Sequence, residues 1–181
     1  MPTETRNDWL SATDEQLLAG CDVHIYKASG PGGQHRNKVS SAVRLRHKAT
    51  DISAVANDSR SQHDNRQRAL TRLRMNIALQ IRMPVSADDA LPAVVAECLH
   101  KPKKPTSDAG LHLQIGRKDA RFWPIAAYLL DWLAAAEARL APVAARLGVS
   151  TGDITSVLKS DRHLLAAAQA LRREHNQRPI S

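Results

Sequence analysis

The segment Val23-His24-Ile25-Tyr26-Lys27-Ala28-Ser29-Gly30-Pro31-Gly32-Gly33-Gln34-His35-Arg36-Asn37-Lys38-Val39-Ser40-Ser41-Ala42-Val43-Arg44-Leu45-Arg46 decides how the first half of this chain folds. Val23 and Ile25 alternate with His24 and Tyr26, the period of a half-buried strand. Ala42 to Arg46 alternates again, with Val43 and Leu45 expected inward and Arg44 and Arg46 outward. Between them Gly30, Pro31, Gly32 and Gly33 exclude regular structure and require a loop with backbone angles that glycine tolerates best.

Working outward, Thr13-Asp14-Glu15-Gln16 has the form of a capping box that opens a short helix through Leu18. Ile52 to Ala56 is a weaker third strand. From Asp64 to Arg82 the period changes: Leu70, Leu73, Ile77 and Ile81 form a stripe at helical spacing. Arg66, Arg68, Arg72, Arg74 and Arg82 cover much of the remaining surface, and Pro84 ends the helix. A further helix is expected over Asp88–Leu99. Lys101-Pro102-Lys103-Lys104-Pro105-Thr106-Ser107 has the composition of a linker. From Phe122 the chain is expected to be all-helical, with segments at Ile125–Leu140, from Val143, and from Asp161 to about His175. The expected fold is therefore α+β: a small β-sheet with a packed helix, then an all-α module. The expected domains are 1–84, an intervening helix and basic linker at 85–117, and a helical accessory domain at 118–181.

In that last module Ala144, Gly148 four residues on and Ile154 six further have helix-turn-helix spacing, with Ser150 placed to cap the second helix. Gly152, Asp153, Thr155 and Ser156 on that helix carry no cation to grip phosphate, so a helical hairpin without nucleic-acid contact is the equal alternative. Arg172, Arg173 and Arg178 lie further on. The module is expected to dock on ribosomal RNA, tRNA or a partner protein.

Charge is distributed unevenly. The 181 residues carry a formal net charge of +8, yet residues 1–22 hold −4, residues 23–82 hold +9 and residues 83–181 hold +3. A polyanionic partner is implied for the middle block, the same block that contains the glycine loop. Cys21 and Cys98 fit neither a zinc spacing nor a secreted disulfide framework, so a reducing compartment is expected and no metal or cofactor. No apolar run approaches the length of a membrane span. The acidic first twenty residues do not suit a secretory signal or an Arg-rich transit peptide, so the expected location is the cytoplasm.

Residues 26–82 resemble the catalytic domain of class I peptide chain release factors and of the codon-independent ribosome-rescue hydrolases related to them. The resemblance rests on Ser29-Gly30-Pro31-Gly32-Gly33-Gln34-His35, then Asn37-Lys38, then Ser41-Ala42-Val43-Arg44-Leu45. It resumes at Ser59-Arg60-Ser61-Gln62, Asn65-Arg66 and Ala69-Leu70. It implies ribosome-dependent hydrolysis of the peptidyl-tRNA ester, with Gly32, Gly33 and Gln34 as the catalytic residues. It also implies that the Gln34 backbone N–H serves the developing oxyanion or leaving group, while its side chain favours water over bulkier nucleophiles. His35, Arg36, Asn37, Lys38, Arg44, Arg46 and Arg60 are the expected RNA-binding residues. The expected partners are the large ribosomal subunit with its 23S-type rRNA and peptidyl-tRNA, and no membrane. Only about twenty residues precede the matching block and no stop-codon-reading loop is visible, so the branch without a decoding domain is expected. The alternative is a ribosome-associated, RNA-binding adaptor whose loop does not catalyse. Three positions depart from the family: Arg36 stands where valine is usual, Val39 where threonine is usual, and Asp51 where glycine is usual in a turn.

Overall fold

The computed structural model describes residues 4–27, 40–101 and 110–181. They form two compact units, Met1–Gln80 and Ile81–Ser181.

In the first unit two short helices, α1 (Arg6–Ser11) and α2 (Asp14–Ala19), precede a three-stranded antiparallel sheet. The capping box opens α2 as the sequence predicts: Gln16 N–H donates to Thr13 Oγ1 at 3.2 Å, and Thr13 N–H donates to the Gln16 side chain at 2.9 Å. The sheet runs β1 (Cys21–Tyr26), β2 (Ala42–His47), β3 (Ser53–Ala56), in that spatial order. Val43 and Leu45 of β2 and Ala54 and Ala56 of β3 are buried on one face. The 19-residue α3 (Gln62–Gln80) lies across those two strands and contributes Ala69, Leu70, Leu73, Ile77 and Ala78 to the core. Leu70, Leu73 and Ile77 belong to the stripe that the sequence shows at helical spacing, and each is at most 2 % exposed.

Two expectations change in this unit. Val23 and Ile25 sit on the same sheet face as buried Leu45 and Val43, their register partners, but are 40 % and 44 % exposed. β1 is an outer strand. Its first residue, Cys21, is buried and its thiol donates to Leu17 O of α2, while α3 packs on the other two strands. Strand geometry was thus readable from alternation, whereas cover by a helix was not. The second change is the end of α3, which stops at Gln80 rather than Arg82, so that Ile81 lies just outside it. A proline ring clashes with the carbonyl four residues earlier, and four residues before Pro84 is Gln80.

In the second unit the helix expected at Asp88–Leu99 shrinks to the single turn α4 (Ala93–Ala96). Pro92 stands inside the expected helix, lacks the N–H that an interior position requires, and instead occupies the position just before the turn. Beyond it Leu99–His100 form β4, paired antiparallel with β5 (His112–Leu113). The proposed linker falls between these paired strands. Apart from Lys101, that stretch lies outside the described residues.

Four helices complete the unit: α5 (Phe122–Ala135), α6 (Leu140–Leu147), α7 (Thr151–Lys159) and α8 (Arg162–Glu174). α5 is buried on nearly every side, Phe122, Ile125, Ala126, Leu129, Leu130 and Leu133 included. Buried Asp131 at its centre accepts from Met83 N–H at 3.1 Å and from Arg82 at 3.3 Å, so its charge is opposed by a cation and a main-chain dipole. Ala144 and Ile154 are buried where α6 meets α7, and Gly148 between them takes φ 65°, the left-handed value that ends many helices. Ser150 caps α7: its hydroxyl accepts from Asp153 N–H at 3.1 Å and donates to the Asp153 carboxylate at 2.8 Å. The observed architecture is α+β, a small antiparallel sheet with packed helices followed by a helical module.

Candidate nucleic-acid interface

Tyr26 ends β1 and pairs with Ala42 at the start of β2, so residues 27–41 connect adjacent antiparallel strands. Gly32, Gly33, Gln34, His35, Arg36, Asn37 and Lys38 belong to that connection and lie outside the described residues. The base of the connection is anchored by α3. Asn65, fully buried in the first turn of α3, donates through Nδ2 to Ser41 O at 2.7 Å and to Ser59 O at 2.8 Å, and its Oδ1 accepts from Ser59 N–H at 2.9 Å. One amide side chain therefore ties the start of β2, the turn after β3 and the start of α3 together. Ser59 Oγ adds a bond to the Asp64 carboxylate at 3.0 Å. The sequence marks Asn65 only as one residue of a matching block; its positioning role depends on contacts across 24 residues.

Arg44 and Arg46 share the outer face of the sheet, as the alternation predicts, and both are exposed. Strand register adds neighbours that the sequence did not name. His24 is the partner of Arg44 on one side and Val55 its partner on the other, and Tyr26 lies two residues beyond His24 on the same face. His24, Tyr26, Arg44, Arg46 and Val55 line an open concavity of about 600 Å³. Arg60 is exposed in the turn after β3, next to Ser59 and hence at the Ser41 end of the sheet, and it does not line the concavity.

The arginines of the basic block are not equivalent. Arg74 donates to Asp14 and to Ala12 O, tying α3 to α2. Arg72 donates to Val55 O and to Asp58 at 2.9 Å. Arg46 is paired with Asp51, whose carboxyl is held below the usual range by that guanidinium. Asp51 takes φ 61° in the turn after β2, the region where glycine carries no steric penalty, and its N–H donates to His47 O at 2.8 Å. The turn survives without glycine, with a short polar side chain that also neutralises Arg46. Arg44, by contrast, has neither hydrogen bond nor ion pair among the described residues, and Asp51 senses its charge through space.

In the second unit, Arg172 is buried and donates to Ala138 O and Arg178 O, so this cation holds a loop and the C-terminal segment rather than facing solvent. The start of α7 is occupied as well. Leu111 N–H donates to Gly148 O at 2.8 Å, and His112 Nδ1 lies 3.3 Å from the Asp153 carboxylate. The segment leading into β5 thus lies against the helix end that a base-reading helix-turn-helix would present to a groove. Among the described residues no cluster of His, Cys, Asp or Glu could hold a metal ion, and no helix is long and apolar enough to cross a membrane.

This three-stranded sheet, crossed by one long helix and carrying a glycine-rich connection between its first strands, coincides with residues 18–91, which match the RF-1 domain family. Peptide chain release factor 1 of Leptothrix cholodnii is 46% identical over 68 residues, which cover 38% of this chain and 19% of that protein. Peptide chain release factor 1 of Enterococcus faecalis is 47% identical over 66 residues, and that of Caldicellulosiruptor saccharolyticus 48% identical over 56. The chain spans less than a fifth of the length of these curated relatives.

Proposed function

We propose that this protein hydrolyses the ester of peptidyl-tRNA on the large ribosomal subunit, and that it does so without reading a stop codon. The observation that carries the proposal is the match of residues 18–91 to the RF-1 domain with Gly32, Gly33 and Gln34 intact on the connection between β1 and β2. Hydrolysis of a buried ester needs water brought to the carbonyl and a donor aimed at the charge that develops on oxygen. Gly32 and Gly33, without Cβ atoms, let the main chain enter a crowded RNA pocket, and the Gln34 N–H supplies the donor. The sheet, Asn65 and α3 form the base to which the two ends of that connection attach. Arg44 and Arg60, exposed on the sheet and on its neighbouring turn, supply contacts to rRNA, joined by His35, Arg36, Asn37 and Lys38.

Codon independence is part of the proposal because no stop-codon-reading loop is visible in the sequence. Ribosome rescue is therefore the expected role, in the cytoplasm, with the helical module as a docking element. The test is single-turnover release of labelled peptide from ribosomes with a stop codon, a sense codon or no codon in the decoding site. Equal release from empty and stop-programmed sites is expected. Strong stimulation by the stop codon would overturn codon independence, and no release from any complex would overturn the enzymatic role.

A further inference from the structure

The outer face of the sheet combines an aromatic ring, an imidazole, an aliphatic side chain and one uncompensated cation, and the Gly32-Gly33-Gln34 chemistry does not use them. Val55, Arg44 and His24 form a row in register across all three strands, and Tyr26 stands beside it, 38 % exposed. The row spans about 10 Å, two strand spacings. Val55 is also 38 % exposed, although it sits in a strand whose neighbours are buried. At one end of the face Arg46 is neutralised by Asp51, and Lys48 lies 3.9 Å from Asp22. Arg44, in the centre, is the cation that no described acid contacts directly.

From this arrangement we propose that the outer face is a single-nucleotide site for unpaired RNA: one base stacks on Tyr26 against Val55 and His24, and Arg44 holds the adjoining phosphate. The proposal rests on the reading that this protein works on the ribosome, since that reading selects RNA as the occupant. Unstacked bases are the part of RNA that proteins read through aromatic side chains, and such stacking tolerates any base because each presents a π-face. An acidic peptide would also approach Arg44, but it would make no use of an exposed ring beside an aliphatic floor. A duplex would need several cations along its backbone, and on this face Arg46 is already paired with Asp51.

The experiment is fluorescence-anisotropy binding of a labelled oligouridylate to the full chain, with an abasic oligomer of equal length and a deoxyuridine oligomer as further probes. Tyr26→Leu keeps apolar area and removes the ring, Tyr26→Phe keeps the ring, and urea melts check that each variant folds. Wild type and Tyr26→Phe are expected to prefer the oligouridylate over the abasic strand by roughly tenfold, and Tyr26→Leu to lose that preference. Arg44→Ala is expected to weaken binding of both strands and to lower the salt slope by about one. Weaker binding of the deoxyuridine oligomer supports RNA as the occupant, and tighter binding of it overturns that assignment. Equal affinity of wild type for intact and abasic strands, an unchanged preference in Tyr26→Leu, or no binding at low salt overturns the site. Gln34→Ala separates the two claims. If it retains peptide release, the catalytic reading fails whatever Tyr26 does; if it abolishes release while Tyr26→Leu leaves the base preference intact, only the stacking site fails.

Discussion

Asn65 Nδ2, in the first turn of α3, donates to the main-chain carbonyl of Ser41 at 2.7 Å, joining the helix to the strand end from which the Gly32-Gly33-Gln34 connection departs. The same nitrogen holds Ser59 O, so one buried amide ties the start of β2 to the turn after β3.

Replacing Asn65 by alanine removes the donor to Ser41 O, one of two donors to Ser59 O, and the acceptor for Ser59 N–H. Leaving such groups unsatisfied in a buried site costs about 1–3 kcal/mol. The expected outcome in urea denaturation is a loss of stability in that range. Asn65→Asp is expected to be worse, because it turns the donor into a buried acceptor facing carbonyls. Peptide release should fall further than the unfolded fraction explains, and a release rate that tracks folding alone would limit Asn65 to a structural role.

Asp51 is a second testable joint. Its φ of 61° carries a steric penalty that glycine lacks, and its carboxylate is the partner of Arg46. Asp51→Ala keeps the penalty and loses the local polar support, so a lower urea midpoint than wild type is expected. Asp51→Gly is expected to stay close to wild type in stability while releasing Arg46, and to steepen the salt dependence of RNA binding. Comparing chemical denaturation and salt titration of the two variants checks both halves.

Several of these features were legible in the sequence and several were not, for physical reasons. Alternation at 42–46 and the stripe Leu70, Leu73, Ile77 report which atoms must leave water, so their periods alone suffice to place β2 and α3. Ser150 and Gly148 were readable as a cap and a turn because both act through local backbone geometry. Exposure of Val23 and Ile25 was not readable, because it depends on where α3 lies and not on β1 itself. The β4–β5 pair has two residues in each strand, too few to establish a period. The pairing of Arg46, Arg72 and Arg74 with acids or carbonyls was also hidden, so net charge overstated what the block offers to RNA. Gly32, Gly33 and Gln34 are legible only as a motif and lie outside the described residues; release assays test the catalytic role proposed for them.

His47 makes stability depend on pH. Its ring is buried, stacks edge-on against Trp9 at a centroid distance of 4.7 Å, and its Nδ1 lies 2.9 Å from Thr50 Oγ1. Burial pushes its pKa below the ordinary 6.5, against a smaller opposing pull from Glu4. In the unfolded chain the imidazole takes up a proton near pH 6.5, whereas in the folded protein it resists doing so until lower pH. The contribution of neutral His47 is therefore complete above about pH 7.5 and is lost as pH falls through 6.5 toward the lowered folded value. Urea midpoints measured from pH 8 to pH 5 should fall in wild type. The drop between pH 7 and pH 5 should shrink in His47→Phe, which keeps an aromatic partner for Trp9; an unchanged drop would assign it to other groups.

Arg172 distinguishes a structural cation from an RNA-binding one in the helical unit. It is 9 % exposed, its Nη1 donates to Ala138 O at 2.5 Å, and its Nε donates to Arg178 O at 2.5 Å. Ala138 is itself buried and, like Glu137 beside it, adopts a positive φ, so the turn between α5 and α6 relies on an outside donor for its carbonyl. Charge-assisted hydrogen bonds contribute about 1.5–3 kcal/mol each, and deleting the donor also leaves the Ala138 carbonyl buried and unsatisfied. Arg172→Ala should therefore destabilise the unit by about 3 kcal/mol. Arg172→Lys should recover only part of the loss, since an ammonium lacks the fork that reaches both carbonyls. Arg173, its exposed neighbour, provides the control: Arg173→Ala should change stability by about 0.5 kcal/mol or less. If the helical unit binds RNA, Arg173→Ala should lower the salt slope of that binding and Arg172→Ala should not, once measurements are restricted to the folded fraction. Equal effects of the two substitutions on stability would mean that the Ala138 carbonyl finds another partner and that Arg172 does not hold the turn.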